Sequence, residues 1–176
     1  AREDGMTDTR KWALQGSPAD GDSRAYRSAL GRFATGVTVV TCRDAAGRPA
    51  GLTVNSFTSV SLDPALVLWC LERTSPSLNA FTTSGHFAIN VLGADQQPLS
   101  DLFADPEADR FAGLAVEDGL GGVPLLPGCL ARFECALHAV HDGGDHVILV
   151  GAVRRYAERP GNPLLYFSGE YRRVGG

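Results

Sequence analysis

Apolar and polar residues follow two different rhythms along this chain. After a polar opening rich in Asp, Gly, Arg and Ser, the large apolar side chains recur at Tyr26, Leu30, Phe33 and Ala34. Three- and four-residue steps of this kind mark one face of an amphipathic helix, with Ser23 available to cap its start and Gly36 to stop it. The period then shortens. Residues 37–43 are β-branched and apolar, the polar run at 44–48 is a turn, and a second strand starts near Ala50, so the pair reads as a hairpin. Residues 54–61 continue with small polar side chains, and Asp63-Pro64 breaks the chain before the strongly strand-like 65–71. Short helices are predicted over 76–84 and 97–103, with a strand over 86–92 between them.

Residues 105–128 hold five Gly and three Pro, which predicts an irregular loop, a candidate lid, with only short ordered elements. Beyond it the two-residue rhythm returns: 129–141 and 146–158 flank the turn Asp142-Gly143-Gly144-Asp145 as a long hairpin, and a final strand covers 164–174. Five to seven strands with a few short helices, no βαβ alternation and no G-x-G-x-x-G predict a mainly β fold, a closed or partly closed antiparallel barrel in place of a Rossmann sheet. Residues 1–22, with Trp12 and Leu14 as their large apolar side chains, read as a flexible arm, and residues 23–176 as one domain.

Composition narrows the function. Apolar residues make up 44% of the 176 and charged ones 20%, a globular balance, and no apolar run approaches the roughly 20 residues of a membrane span. A net charge of -4 with scattered basic residues gives no footprint for nucleic acid. Cys42, Cys70, Cys129 and Cys135 form no C-x-x-C pair and read as reduced, structural thiols. No apolar signal segment opens the sequence, so a cytoplasmic setting is expected.

Three segments carry candidate chemistry. Around Arg73-Thr74-Ser75-Pro76-Ser77, Ser75 can cap a helix that begins at Pro76, gathering backbone N–H groups, hydroxyls and one guanidinium into a phosphate seat; the same residues also serve as a plain helix cap beside a solvated arginine. Thr53-Val54-Asn55-Ser56 offers small side chains past which a planar ligand could reach the backbone, or else an ordinary polar strand end. Gly144-Asp145-His146 puts an imidazole at a hairpin apex, a nucleotide contact or simple surface. His138 and His141 point to opposite faces of a strand, which weakens any metal site. Acids, bases and nucleophiles in recognisable arrangements are scarce. That pattern suits an enzyme whose cofactors carry the chemistry while the protein binds and orients them.

Read in order, residues 32–41 (RFATGVTVVT), 51–64 (GLTVNSFTSVSLDP), 71–75 (LERTS), 86–92 (HFAINVL), Gly144-Asp145-His146 and 163–167 (PLLYF) resemble the flavin reductase-like family, the reductase components of two-component flavin-dependent monooxygenases. The resemblance spans about residues 24–174. It implies a homodimeric Greek-key split barrel of the FMN-binding type, with FMN or FAD near the subunit interface, NADH or less commonly NADPH as hydride donor, and an oxygenase partner supplied with reduced flavin. By the same resemblance Gly36, Val37 and Thr38 lie near the isoalloxazine and Thr53, Val54, Asn55 and Ser56 along the ring and ribityl chain. Arg73, Ser75 and Ser77 hold phosphate, Phe87, Ala88 and Asn90 wall the site, and His146 and Tyr166 meet the nicotinamide nucleotide. Val54 stands where many members have Ala or Thr. No proton-transfer residue and no metal is implied. The alternatives are a flavin- or haem-binding barrel without reductase activity and, further off, an oxidase of the pyridoxamine-phosphate kind.

Overall fold

The structure is a computed structural model and describes residues 12–174. Of the expected arm, residues 1–11 lie outside the described residues. Residues 12–22 carry one 3-10 turn, Pro18–Asp20, closed by reciprocal bonds between Ser17 and Asp20. In chain order there follow α1 (Ser23–Leu30), β1 (Thr35–Gly36), β2 (Thr38–Arg43), β3 (Pro49–Val54), β4 (Thr58–Leu62), β5 (Ala65–Glu72), α2 (Leu78–Thr83), β6 (His86–Val91) and α3 (Gln97–Ala104). The second half holds β7 (Glu117–Asp118), β8 (Pro124–Leu125), β9 (Ala131–Gly143), β10 (His146–Glu158), β11 (Leu164–Phe167) and β12 (Glu170–Arg173).

Seven strands form one antiparallel sheet in the order β3-β2-β6-β9-β10-β5-β4. Its two edge strands, β3 and β4, are consecutive in sequence and joined by only Asn55, Ser56 and Phe57. Were the sheet flat, six inter-strand steps of about 4.8 Å would hold its edges about 29 Å apart, whereas the chain from Val54 to Thr58 can reach at most about 14 Å. The sheet must therefore curl until its edges face each other. No β3–β4 ladder forms; instead the Ser56 hydroxyl accepts a hydrogen bond from Cys70 N (2.9 Å) and donates to Cys70 O (3.3 Å), tying the link to β5. The result is a barrel split along one seam, in agreement with the predicted class.

Inside the barrel, strict alternation on β5 buries Val67, Trp69 and Leu71. Trp69 packs edge-on against Phe81 of α2 (4.9 Å between centroids) and Phe87 of β6 (5.9 Å). A second apolar cluster, with Val39, Leu92, Phe103 and Leu164, fills the space among the sheet, α3 and the small β1-β11-β12 sheet.

Four expectations need correction. The first helix starts from an Asp22 cap, whose carboxylate accepts from Ala25 N, and ends at Gly31, well before Gly36; the following residues turn into β1, which pairs with β11. Among the described residues, Tyr26 and Leu30 on its apolar face and Phe33 just beyond its end are exposed. The final strand is a hairpin, β11 and β12, turning at Ser168 (φ 52°) and Gly169 (φ 81°). Residues 105–128 are no free lid: Arg43 bonds Gly122 O and Asp118, Glu134 accepts from Leu120 N, and Thr41 donates to Pro124 O, which straps the segment to the sheet. The count of five to seven strands fits the main sheet alone, because β1, β7, β8, β11 and β12 are too short to show as a rhythm.

Gly151 on β10 gives the sharpest packing test. A Cβ there would lie 2.5 Å from Phe87 Cζ and 2.8 Å from Cys135 Cβ, and the second neighbour cannot retreat without its strand. Gly151→Ala is expected to lower stability by about 1–3 kcal/mol, read from the urea midpoint at unchanged slope.

Candidate functional site

The seam of the barrel opens into a cleft of about 420 Å³. Leu52, Thr53, Val54, Asn55 and Ser56 line one side; Cys70, Leu71, Glu72, Thr74, Ser75 and Pro76 line the other; His146 closes the end. All three segments singled out in the sequence thus meet in one place, because the forced curl brings the end of β3 to the end of β5 and the β5–β10 register sets His146 opposite Glu72. A larger hollow of about 770 Å³ lies between residues 12–22 and α1, but α1 buries no residue and none of the predicted site residues lines it.

Within the cleft the hydroxyls divide by task. Ser56 is committed to Cys70, and Thr53 donates to Ser100 O on α3 (2.6 Å), so both hold the walls in place. Asn55 is exposed, and its amide has no hydrogen bond among the described residues. The turn after β5 differs from expectation: α2 begins at Leu78 with Ser77 in the cap position, two residues late, while Ser75 Oγ accepts from Ser77 N (3.3 Å). Thr74 and Ser75 face the cleft; Ser77 does not line it.

The hairpin apex is held by a compact polar set. Arg73 Nε donates to Gly144 O (2.8 Å), its Nη2 meets Asp142 Oδ1, and its backbone N donates to Asp145 O (3.0 Å). The adjacent Arg73 guanidinium holds the Asp142 carboxyl below the usual carboxylate range. His146 Nδ1 lies 2.7 Å from Asp145 Oδ1 and likewise lowers that carboxyl. An ionised carboxylate only accepts, so Nδ1 carries the hydrogen and Nε2 is the ring nitrogen left uncommitted.

Other predicted residues lie elsewhere. Phe87, Ala88 and Asn90 are fully buried and do not wall the cleft. The Asn90 amide donates to Val39 O and Thr41 Oγ1 and accepts from Leu126 N, which makes it a core crosslink. Arg73, expected to hold phosphate, bonds the hairpin apex through Nε and Nη2 and does not line the cleft. Val37 and Thr38 are buried next to the cleft wall, where Thr38 Oγ1 donates to Val54 O (3.0 Å). Gly36 and Tyr166 form a second group, paired through Gly36↔Leu165 and Thr35↔Tyr166, and the buried Thr35 Oγ1 beside them has no partner among the described residues. Leu52, Cys70, Leu71 and Glu72 were missed as lining residues, and Thr74 was named only within its segment. Cys70 could have been read from the two-residue period of β5, which puts it on the face opposite Trp69 and Leu71.

The donor set fits a flavin. Leu52, Val54 and Leu71 give apolar walls for a planar ring, while Asn55, Thr74 and Ser75 supply polar groups for its edge and an anionic tail. Such a barrel with such a seam belongs to the class of nucleotide-cofactor binders. The chain is a member of the flavin reductase like domain family, which matches residues 30–175. It is 51% identical over 156 residues to the FMN reductase (NADH) SmoA of Agrobacterium fabrum, covering 89% of this chain and 88% of that one. With the reductase subunit HsaB of a flavin-dependent monooxygenase from Rhodococcus jostii it shares 43% identity over 85% of this chain and 77% of the relative. An NADH:FAD oxidoreductase of Streptomyces globisporus, solved with NAD and FAD fragments, superposes with a TM-score of 0.86 at 38% identity, covering 93% of this chain and 98% of the other. Some relatives are longer: the chain spans 48% of a probable flavin reductase from Rhizobium meliloti.

The four cysteines are free, and burial pushes the thiols of Cys42 and Cys135 up to about 12 and that of Cys129 to about 11. Cys70 is raised too, also by burial, but it alone among them lines the cleft. Alkylation of the native protein at mildly alkaline pH is therefore expected to modify Cys70 faster than Cys42 or Cys135, and saturating FMN or FAD is expected to slow it, as read by mass spectrometry of the labelled peptides. Labelling of Cys70 indifferent to flavin would remove the ligand from the seam.

Proposed function

We propose that this chain binds FMN or FAD in the seam cleft, accepts NADH against it, and releases reduced flavin to a separate flavin-dependent monooxygenase. One observation carries the reading: the segments 53–56, 74–75 and His146, distant in sequence, line a single cleft of flavin size in a chain 51% identical to an NADH-dependent FMN reductase. The flavin supplies the hydride acceptor when bound. The protein's part is placement. Thr53 and Ser56, fixed by their bonds to α3 and β5, keep the two walls at a constant separation. Asn55 offers an amide to the ring edge, and Thr74 with Ser75 holds the anionic tail. His146 orients the dinucleotide through its free Nε2. No side chain has to move a proton, because holding two reactants at about 3–3.5 Å in the right orientation can itself remove several kcal/mol from a barrier. NADH is the donor by its use in the relatives, with NADPH the weaker candidate. Four free thiols and a need for NADH support a cytoplasmic setting.

A second copy of the chain is the natural cover for the apolar side chains left in water. Leu30 is 56% exposed, Phe33 80% and Leu62, at the edge of the sheet on β4, 95%. Exposed apolar groups at the end of one helix and on one open edge strand are a ready surface for a partner. Sedimentation is expected to give twice the 18.6 kDa of one chain, and Leu30→Asp with Phe33→Asp to return the monomer mass.

The direct test is oxidation of NADH, followed by its absorbance, with FMN and FAD added separately. Turnover well above that of free flavin is expected, and His146→Ala is expected to raise KM for NADH with little change in flavin affinity. No acceleration with either flavin would refute the reading.

A further inference from the structure

Resting on the reading just given, we propose that Arg73 is a positioning residue for the nicotinamide nucleotide, acting with Asp142 as a clamp on the hairpin apex, and that it is not a phosphate ligand. The geometry is specific. Arg73 directly follows Glu72, the last residue of β5, which pairs with His146 at the start of β10, and its backbone N–H donates to Asp145 O, so the ladder between the two strands is extended one step into the turn. The guanidinium then reaches around the turn with two further donors, one to the Gly144 carbonyl and one to the Asp142 carboxylate. Asp142 in turn accepts from Gly144 N (3.3 Å). Every residue of the two-residue loop, Gly144 and Asp145, is thus bonded to Arg73 directly, and the next residue is His146.

Gly144 at φ 79° gives this two-residue loop a backbone freedom that the arginine's bonds restrict. The fork of the guanidinium suits this task better than an ammonium would, because two bonds in fixed directions define an orientation where one defines only a distance. The Nε–Nη2 edge of the arginine is spent on the hairpin, and Arg73 does not line the cleft. Thr74 and Ser75, which line the cleft, are the groups left for an anionic tail. The clamp is exposed, with side-chain accessibility of 44% at Arg73 and 81% at Asp142. Its contribution to global stability is accordingly small, and its effect falls on where His146 sits.

The test compares Arg73→Ala, Asp142→Ala, the double variant and Arg73→Lys. Each is measured for KM and kcat with NADH and for binding of FMN against riboflavin, which lacks the phosphate. Both single alanine variants are expected to raise KM for NADH by roughly five- to tenfold with kcat changed by less than about twofold, the signature of lost nucleotide binding. The double variant is expected to be no worse than the poorer single one, as for two members of one unit. Arg73→Lys should recover part of the loss, and the preference for FMN over riboflavin should stay constant throughout. A selective loss of FMN affinity in Arg73→Ala with Asp142→Ala silent would assign the arginine to phosphate and overturn the proposal, as would unchanged KM in every variant. The amide resonances of Gly144 and His146 are expected to shift alike in the two single variants. That readout and the FMN-to-riboflavin ratio need no turnover, so they decide the clamp even if NADH oxidation fails and takes the proposed reaction with it.

Discussion

The short link between the two edges of the main sheet governs this molecule. Three residues cannot bridge a flat seven-stranded sheet, so the curl, the seam and the cleft are consequences of one connection length. What keeps the seam from either closing or gaping is the Ser56 hydroxyl, which both accepts from and donates to the backbone of Cys70. A full β3–β4 ladder would satisfy the edge strands but leave no room between them. A single stitch satisfies one residue and leaves the neighbouring strand ends apart. The site is the unfinished part of the barrel.

From this follows a division of labour among the polar residues. Those that look chemically most capable, Arg73, Asn90 and Ser56, are spent on structure: one clamps the hairpin, one crosslinks β2, β6 and the segment before β9, one stitches the seam. Asn55, Thr74, Ser75 and His146, left facing the cleft beside the Glu72 carboxylate, offer groups for binding. A reaction in which two bound molecules exchange a hydride asks for no more than that.

The strand pattern made the barrel legible, since β2, β5, β6, β9 and β10 are long enough for a two-residue period to show. The short strands β1, β11 and β12 were not, although Ser168-Gly169 was a turn signal inside the supposed single strand. Helix α1 starts one residue earlier in its cap, at Asp22 in place of Ser23, and stops sooner than the apolar spacing suggests, because that spacing continues through Phe33 past the point where Gly31 ends the helix. The site was legible as segments and less so as side chains. Sequence order carried Thr53 to Ser56, Ser75 and His146 to the cleft. It could not say that Arg73 would face the hairpin, a pairing set by register across strands about 70 residues apart, or that Phe87, Ala88 and Asn90 would point into the core.

The most direct measurement is a crystal structure of the protein soaked with FMN. The ring is expected between Leu52, Val54 and Leu71, with the phosphate at Thr74 and Ser75 and with Arg73 still bonded to Gly144 and Asp142. Flavin found in the hollow beside α1, or a seam filled by the protein's own side chains with FMN absent, would contradict the account.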